Sequence, residues 1–434
     1  MPSFTTIIDE RFPALNEYDY RRLFINGFFT YGARWADILA RGWLVFELSG
    51  NSATAVGWVA FASFLPAIVV GPIAGVLADH IDRRNVLIFG TLGGVIFTLL
   101  QVVVIVTDVV QVWHVILLGF LSGAAQSTTI AARQSLIANV VKKEQLMNAV
   151  ALTALARHGS RIFGPLIGTV LLTTVGAAPV FVLSTVLLLI GLIELIRMNY
   201  RMDPEAENKL SRGISTRAVV SNVSSELLSG IQYIRNDSRI LTVVWLVAAH
   251  CGLTMSIDAL LPTRVTDLNG EEDLFGLALI AIGVGSVVGT IIISQLSNDS
   301  QRAWTFRVMA VGSGIGPIVL GSSGTATIFI VGALIAGFTQ SAFMAMTSTF
   351  VQEVVSDEFR GRVLSLYIML AGGTMAFLNL GFGRVTDLFD VRAVFILPAV
   401  LWLIIIAVAV FKSSEFKSLI RHGRFVSNDE KVLT

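Results

Sequence analysis

Apolar stretches of about 20 residues recur along the chain, parted by short polar turns. At 1.5 Å per residue, about 20 helical residues cross the roughly 30 Å of bilayer hydrocarbon. In lipid, each backbone polar group must find its partner within its own segment, so the pattern predicts an all-α membrane protein. Twelve spans are read near 22–47, 54–78, 85–107, 112–138, 147–174, 178–199, 240–264, 274–297, 303–322, 325–352, 361–384 and 391–412. The longest polar stretch divides six spans from six. The expected organisation is a cytoplasmic N-terminal segment (1–21), an N-terminal six-helix bundle (22–199), a cytoplasmic linker (200–239), a C-terminal six-helix bundle (240–412) and a cytoplasmic tail (413–434). In the linker, Val219, Val223, Leu227, Ile231 and Ile234 fall at helical spacing. They form an amphipathic helix that either lies on the membrane surface or crosses solvent between the bundles.

Basic residues orient the spans. With both termini inside, about 23 of the 31 lysines and arginines are cytoplasmic and three, Arg264, Arg384 and Arg392, lie outside. That asymmetry favours this orientation. The N-terminus lacks the basic-then-apolar order of a cleaved signal, so the first span is expected to direct insertion.

The halves repeat. "GAAQSTTIAARQSLIANVVKKEQ" begins at Gly123 and "GFTQSAFMAMTSTFVQEVVSDEF" at Gly337, an offset of 214 residues. A weaker echo, at an offset of about 219, sets Asn298 against Asp79 and Arg302 against Arg83. Two pseudo-symmetric six-helix bundles joined by a linker describe a secondary transporter whose halves rock about a midplane site.

Composition agrees. Of 434 residues 54% are hydrophobic and 14% charged, against about 25% charged in a soluble domain. A net charge of +1 calls for no nucleic-acid partner. A single cysteine, Cys251, excludes an intrachain disulfide and a paired-cysteine metal site. The sequence has no phosphate-binding loop, no zinc spacing and no nucleophile elbow, so no cofactor, metal or catalytic residue is expected.

The turn after span two reads "GVLADHIDRR", from Gly75 through Asp79, Asp82 and Arg83 to Arg84. Its charges either stop the helices and mark the inner face or form a conformational latch, with the arginines held by nearby acidic groups. The motif resembles the cytoplasmic signature of the major facilitator superfamily. "GSRIFGPLIGTVL" in span five is similar to the superfamily's exporter element, carried by Gly164, Pro165 and Gly168. Glycines there let helices approach closely, and proline kinks the span. The segments "WLVFELSGNSATAVGWV" and "RGRVLSLYIMLAGGTMAFLNLGFGRVTD" resemble the branch of bacterial drug and siderophore exporters. The resemblance implies export by proton antiport. One departure is that Gly119 stands near the place where many such exporters carry an arginine.

A charge at the bilayer centre costs at least about 2.5–3.5 kcal/mol, so intramembrane charges need partners or a task. Arg34, Asp37 and Arg41 lie within about 60° on one face of span one. They make either an ion-pair ladder or a site where Asp37 exchanges protons under the control of its arginines. Arg157, Arg161, Gly164 and Gly168 share a face of span five, and Arg133 shares one of span four with Gln126. Surplus positive charge favours an anionic or metal-chelating substrate. Arg133 is expected to snorkel at the rim, whereas Arg161 and Arg157, with Gln126, are cavity candidates. In span seven His250 and Asp258 are candidate proton groups, the histidine having hydrogen-bonded packing as its plainer reading. Gln340, Met344 and Thr347 of span ten are candidate lining residues.

The expectation is a monomeric secondary transporter of the bacterial inner (plasma) membrane. It exports a small amphipathic molecule in exchange for protons, or sodium, with the bilayer as its other partner. An importer or lipid flippase on the same scaffold is the rival within transport, and a lipid-modifying membrane enzyme the rival outside it.

Overall fold

The computed structural model describes residues 12–80, 82–200 and 216–426; side chains at 71–80, 131, 216–224 and 357 lie outside the described set. Among the described residues the secondary structure is helical, and twelve membrane-length helical segments occur in the expected order. Spans one to six are Tyr18–Leu48, Ala53–His80, Arg83–Val106, Val112–Val140, Leu146–Val175 and Ala177–Ile196. Span seven runs from Ser238 to Asp267; spans eight to twelve are Glu272–Ser294, Asp299–Ser322, Ala326–Val354, Asp357–Thr386 and Val391–Lys412. Ten of the twelve are long and apolar enough to cross a membrane; the other two, spans one and five, carry Arg34, Asp37, Arg41 and Arg157, His158, Arg161. The linker helix is Thr216–Asn236, and a tail helix, Ser414–His422, follows span twelve.

Short polar caps end these helices. Asp82 accepts from the Arg84 backbone N–H at 2.8 Å and starts span three. Asn298 accepts from that of Gln301 at 2.9 Å and starts span nine. The cap of span nine is therefore Asn298, whereas the sequence echo set Asn298 against Asp79, one turn earlier than the capping Asp82. Spans five and six are joined by Gly176 alone, at φ +100°, a conformation that glycine adopts without strain.

Span seven is not one regular helix. It is α-helical to His250, makes a π turn over Cys251–Met255, tightens to a 3-10 segment over Ser256–Leu260 and regains α geometry to Asp267. Such breaks in register free backbone carbonyls and recur at functional positions.

The chain divides into two compact units, residues 1–48 with 62–224, and residues 49–61 with 225–434. In the first, spans one, five and six pack together and spans three, four and six form a second layer. A core at one end of it gathers Tyr20, Leu23, Leu87, Leu136 and Leu195, and the Tyr20 hydroxyl donates to the Ala149 carbonyl at 2.6 Å. In the second unit an aromatic cluster of Phe306, Phe343, Phe350, Trp402 and Phe416 forms the centre. The tail helix contributes Phe416 and Leu419 to it, and Arg424 reaches Asp299 at 3.0 Å.

The internal repeat is visible in both units as the same contact. A methyl group on Gly123 of span four would overlap the carbonyl of Ser63 in span two, and one on Gly337 of span ten would overlap that of Ile282 in span eight. At the adjoining turns Arg83 donates to Asn139 at 3.1 Å, and Arg302 pairs with Glu353 at 2.6 Å.

Candidate transport site

The first unit places two of its buried charges on span one. Asp37 and Arg41 are both buried, and one carboxylate oxygen lies 3.8 Å from the Arg41 guanidinium. That separation is an ion pair but not a hydrogen bond. The other carboxylate oxygen of Asp37 and the Nε and Nη2 atoms of Arg41 make no hydrogen bond among the described residues. Thr98 of span three and Ser184 of span six flank the carboxylate. Gly119 of span four lies against the stem of Arg41, so a guanidinium rooted in span one reaches the position where the family resemblance places an arginine of span four.

The seam in span five explains how span one is held. A side chain at Gly164 would collide with the Gly32 carbonyl and the Ala36 backbone, and one at Gly168 would press on Leu39. Gly164, Pro165 and Gly168 are all buried. This close packing fixes the backbone on either side of Asp37.

Three of the remaining arginines lie beside aromatic rings. Arg161 lies 4.5 Å from the Trp35 ring centre, and Arg34 lies 5.9 Å from that of Phe64. Such cation–π contacts keep charge near apolar surface. Arg34 is therefore not part of a continuous ion-pair ladder with Asp37. Arg157 is exposed and Gln126 half-buried. Arg133 departs from the rim expectation. It is buried over the Tyr31 ring at 5.4 Å and donates to the Leu23 carbonyl and the Thr30 hydroxyl, both at 3.3 Å. Backbone oxygen and an aromatic face within span one outcompete the headgroups.

In the second unit Gln340 is buried and donates its side-chain amide to the Thr254 carbonyl at 2.9 Å, inside the π turn. His250 is fully buried between Phe343 and Trp402, with ring centres at 4.5 and 5.1 Å. Neither ring nitrogen has a hydrogen-bond partner among the described residues. Its surroundings are aromatic, so its packing is not the hydrogen-bonded one. Met344 meets the Cys251 thiol at 3.5 Å, and Tyr367 bonds Thr347 at 2.9 Å beside it. Asp258 is half-buried in the 3-10 segment.

Of the candidate latch, the side chains of Gly75 and Asp79 lie outside the described residues. Asp82 caps span three. Arg84 donates to the Leu195 and Ile196 carbonyls at 2.9 and 2.7 Å, closing the end of span six, and Arg83 bonds Asn139. A helix C-terminus offers unpaired carbonyls to a cation, and Arg84 takes two of them. The sequence reading also passed over Thr98, Gln101, Ser122 and Ser184. The available signal was the i, i+3 spacing of Thr98 and Gln101 on an otherwise apolar span three.

Comparison with known proteins resolves the class. A family model described as transmembrane secretion effector matches residues 11–426. The chain belongs to this family of the major facilitator superfamily. It is similar to the staphyloferrin A transporter of Staphylococcus aureus, at 20% identity over 80% of this chain and 85% of that protein. It is 22% identical to the macrolide efflux protein A of Streptococcus pyogenes, over 73% and 76% of the two chains. It is 24% identical to the enterobactin exporter of Citrobacter koseri, over 73% and 72%. Among solved structures, the nucleoside transporter NupG aligns with a TM-score of 0.72 at 13% identity, covering 91% of this chain and all of that one. This likeness establishes the fold. The protein is a multi-pass membrane transporter whose named relatives include efflux proteins and siderophore transporters.

Proposed function

We propose that the protein exports a small amphipathic molecule, of anionic or metal-chelating type, across the bacterial inner membrane by alternating access, in exchange for protons. Asp37 is the carboxylate that carries the proton. One observation supports this reading above the others: a buried carboxylate sits beside a buried guanidinium without a hydrogen bond between them. A structural ion pair in hydrocarbon would close to hydrogen-bond contact, since both charges are costly there. A pair held apart can give up its carboxylate to a proton. Arg34 over Phe64 and Arg161 over Trp35 add cationic aromatic surface suited to a flat, oxygen-rich solute.

Inverted membrane vesicles test the proposal, with macrolides and metal chelators as probes. Uptake should require an acid-inside pH gradient, should be indifferent to sodium and should be abolished by Asp37→Asn. Uptake that persists without the gradient, or that survives Asp37→Asn, would overturn it.

A further inference from the structure

The polar groups around Asp37 form a larger set than one ion pair needs. Gln101 is fully buried, and neither its amide oxygen nor its amide nitrogen has a hydrogen-bond partner among the described residues. The same holds for the Ser122 hydroxyl and the Nε and Nη2 atoms of Arg41. A buried polar atom left unpaired is costly, and native structures keep few of them. Here several share one locality.

Their register shows the connection. Thr98 flanks Asp37. Spans one and three run in the same direction, being separated by one span. Gln101 lies one turn beyond Thr98, as Arg41 lies one turn beyond Asp37. Gln101 thus stands level with Arg41. On span four, Gly119 touches the Arg41 stem, and Ser122 is one turn away on the same face. The charged groups that bear on Asp37 are Arg41 and Arg34 of its own span; spans three and six face it with the neutral Thr98 and Ser184, span four brings Gly119 to the Arg41 stem, and span five packs Gly164 and Gly168 on the neighbouring Ala36 and Leu39, with its Arg161 over Trp35.

Protonation of Asp37 would leave the Arg41 charge buried without a counter-charge, which is costly unless other oxygens take it. We propose that Gln101 is the alternative acceptor for Arg41: the guanidinium faces Asp37 when the carboxylate is charged and turns to the Gln101 amide oxygen when Asp37 carries the proton. The Ser122 hydroxyl completes the second arrangement. The inference rests on Asp37 as the proton carrier and makes Gln101 a positioning residue. It accounts for unpaired oxygens beside a loosely held guanidinium, because both arrangements need partners in reserve.

The test is the pH profile of transport in inverted vesicles. Gln101→Met keeps side-chain length but removes the acceptor, so proton uptake becomes harder and the midpoint should fall by about one unit, the size of a typical neighbour effect. Gln101→Glu supplies a permanent counter-charge, so the midpoint should rise. Ser122→Ala, nearly isosteric, should shift it down less than Gln101→Met. Thermal unfolding of each variant separates misfolding from a shifted profile, and Ser122→Ala serves if a Gln101 variant does not fold. Unmoved midpoints in folded Gln101→Met and Gln101→Glu, with pH dependence still lost in Asp37→Asn, would overturn the switch and leave the proton carrier standing. Persistence of pH dependence in Asp37→Asn would overturn both.

Discussion

Gln340 of span ten donates its side-chain amide to the carbonyl of Thr254 in span seven, 2.9 Å away, where span seven leaves α-helical register. The π turn displaces carbonyls from their usual i+4 donors, and in hydrocarbon no water replaces them. Gln340 therefore supports the irregular segment that carries Met255 and Asp258. Gln340→Leu should lower stability by about 1–3 kcal/mol, because it strands a buried carbonyl. Thermal unfolding in detergent would show this as a lower midpoint than in Gln340→Glu, whose protonated side chain can still donate.

The glycines of the repeat make a second expectation. Gly337 touches the backbone of Ile282 so closely that any side chain must push spans eight and ten apart. Gly337→Ala should destabilise the second unit by about 1–3 kcal/mol, the usual range for overpacking. Gly361→Ala, in span eleven with open space around it, should be neutral or raise stability by up to about 1 kcal/mol through helix propensity. Parallel melting curves of the two variants would check the contrast.

Asp387, just past the end of span eleven, caps the start of span two within the second unit. It accepts from the Ala53 and Thr54 backbone N–H groups at 2.8 and 3.0 Å and from the Ser52 hydroxyl at 2.9 Å. Burial pushes its carboxyl up, but the bonds from Thr54, Ser52 and Ala53 outweigh burial and hold it below its ordinary 3.8. Because the folded value is depressed, its stabilisation is fully present above pH 3.8 and is lost as pH falls through the lower folded value. Asp387→Ala should cost about 0.5–2 kcal/mol at neutral pH, as lost caps do. Melting curves taken across acid pH should converge for wild type and variant only below the ordinary carboxylate range.

Arg84 and Arg302 carry the same charge beside corresponding turns but do different work. Arg84 makes two charge-assisted bonds to the end of span six, whereas Arg302 pairs with the exposed Glu353. Arg84→Ala should cost about 1.5–3 kcal/mol, and Arg302→Ala about 1 kcal/mol or less. Comparable losses in the two melting curves would contradict this assignment.

The spans, their order and the repeat were legible because lipid imposes one period and one length on every crossing segment. The offset that pairs Gly123 with Gly337 carried over into the same backbone contact in both units. Span seven was read as one regular helix because "HCGLTMSIDAL" remains apolar through the register change; only Gln340, distant in sequence, reveals where the carbonyls need help. Arg133 was set at the rim because snorkelling depends on depth, while Tyr31, Thr30 and Leu23 are neighbours that only packing supplies. The tail helix Ser414–His422 was read simply as tail, since Phe416 and Leu419 find their apolar partners only in the folded second unit. Thr98 and Gln101 went unmarked because two neutral polar residues in a span are common. What sets Thr98 apart is the carboxylate it flanks, and Gln101 follows it one turn on.

Proton movement measured alongside substrate movement tests the central claim most directly. Purified protein in proteoliposomes with an acid interior and a trapped pH-sensitive dye would receive an amphipathic chelator from outside. Wild type should collapse the acid interior as the chelator accumulates, and Asp37→Asn should do neither. Chelator accumulation with no change in internal pH, or equal proton release in wild type and Asp37→Asn, would contradict exchange at this carboxylate.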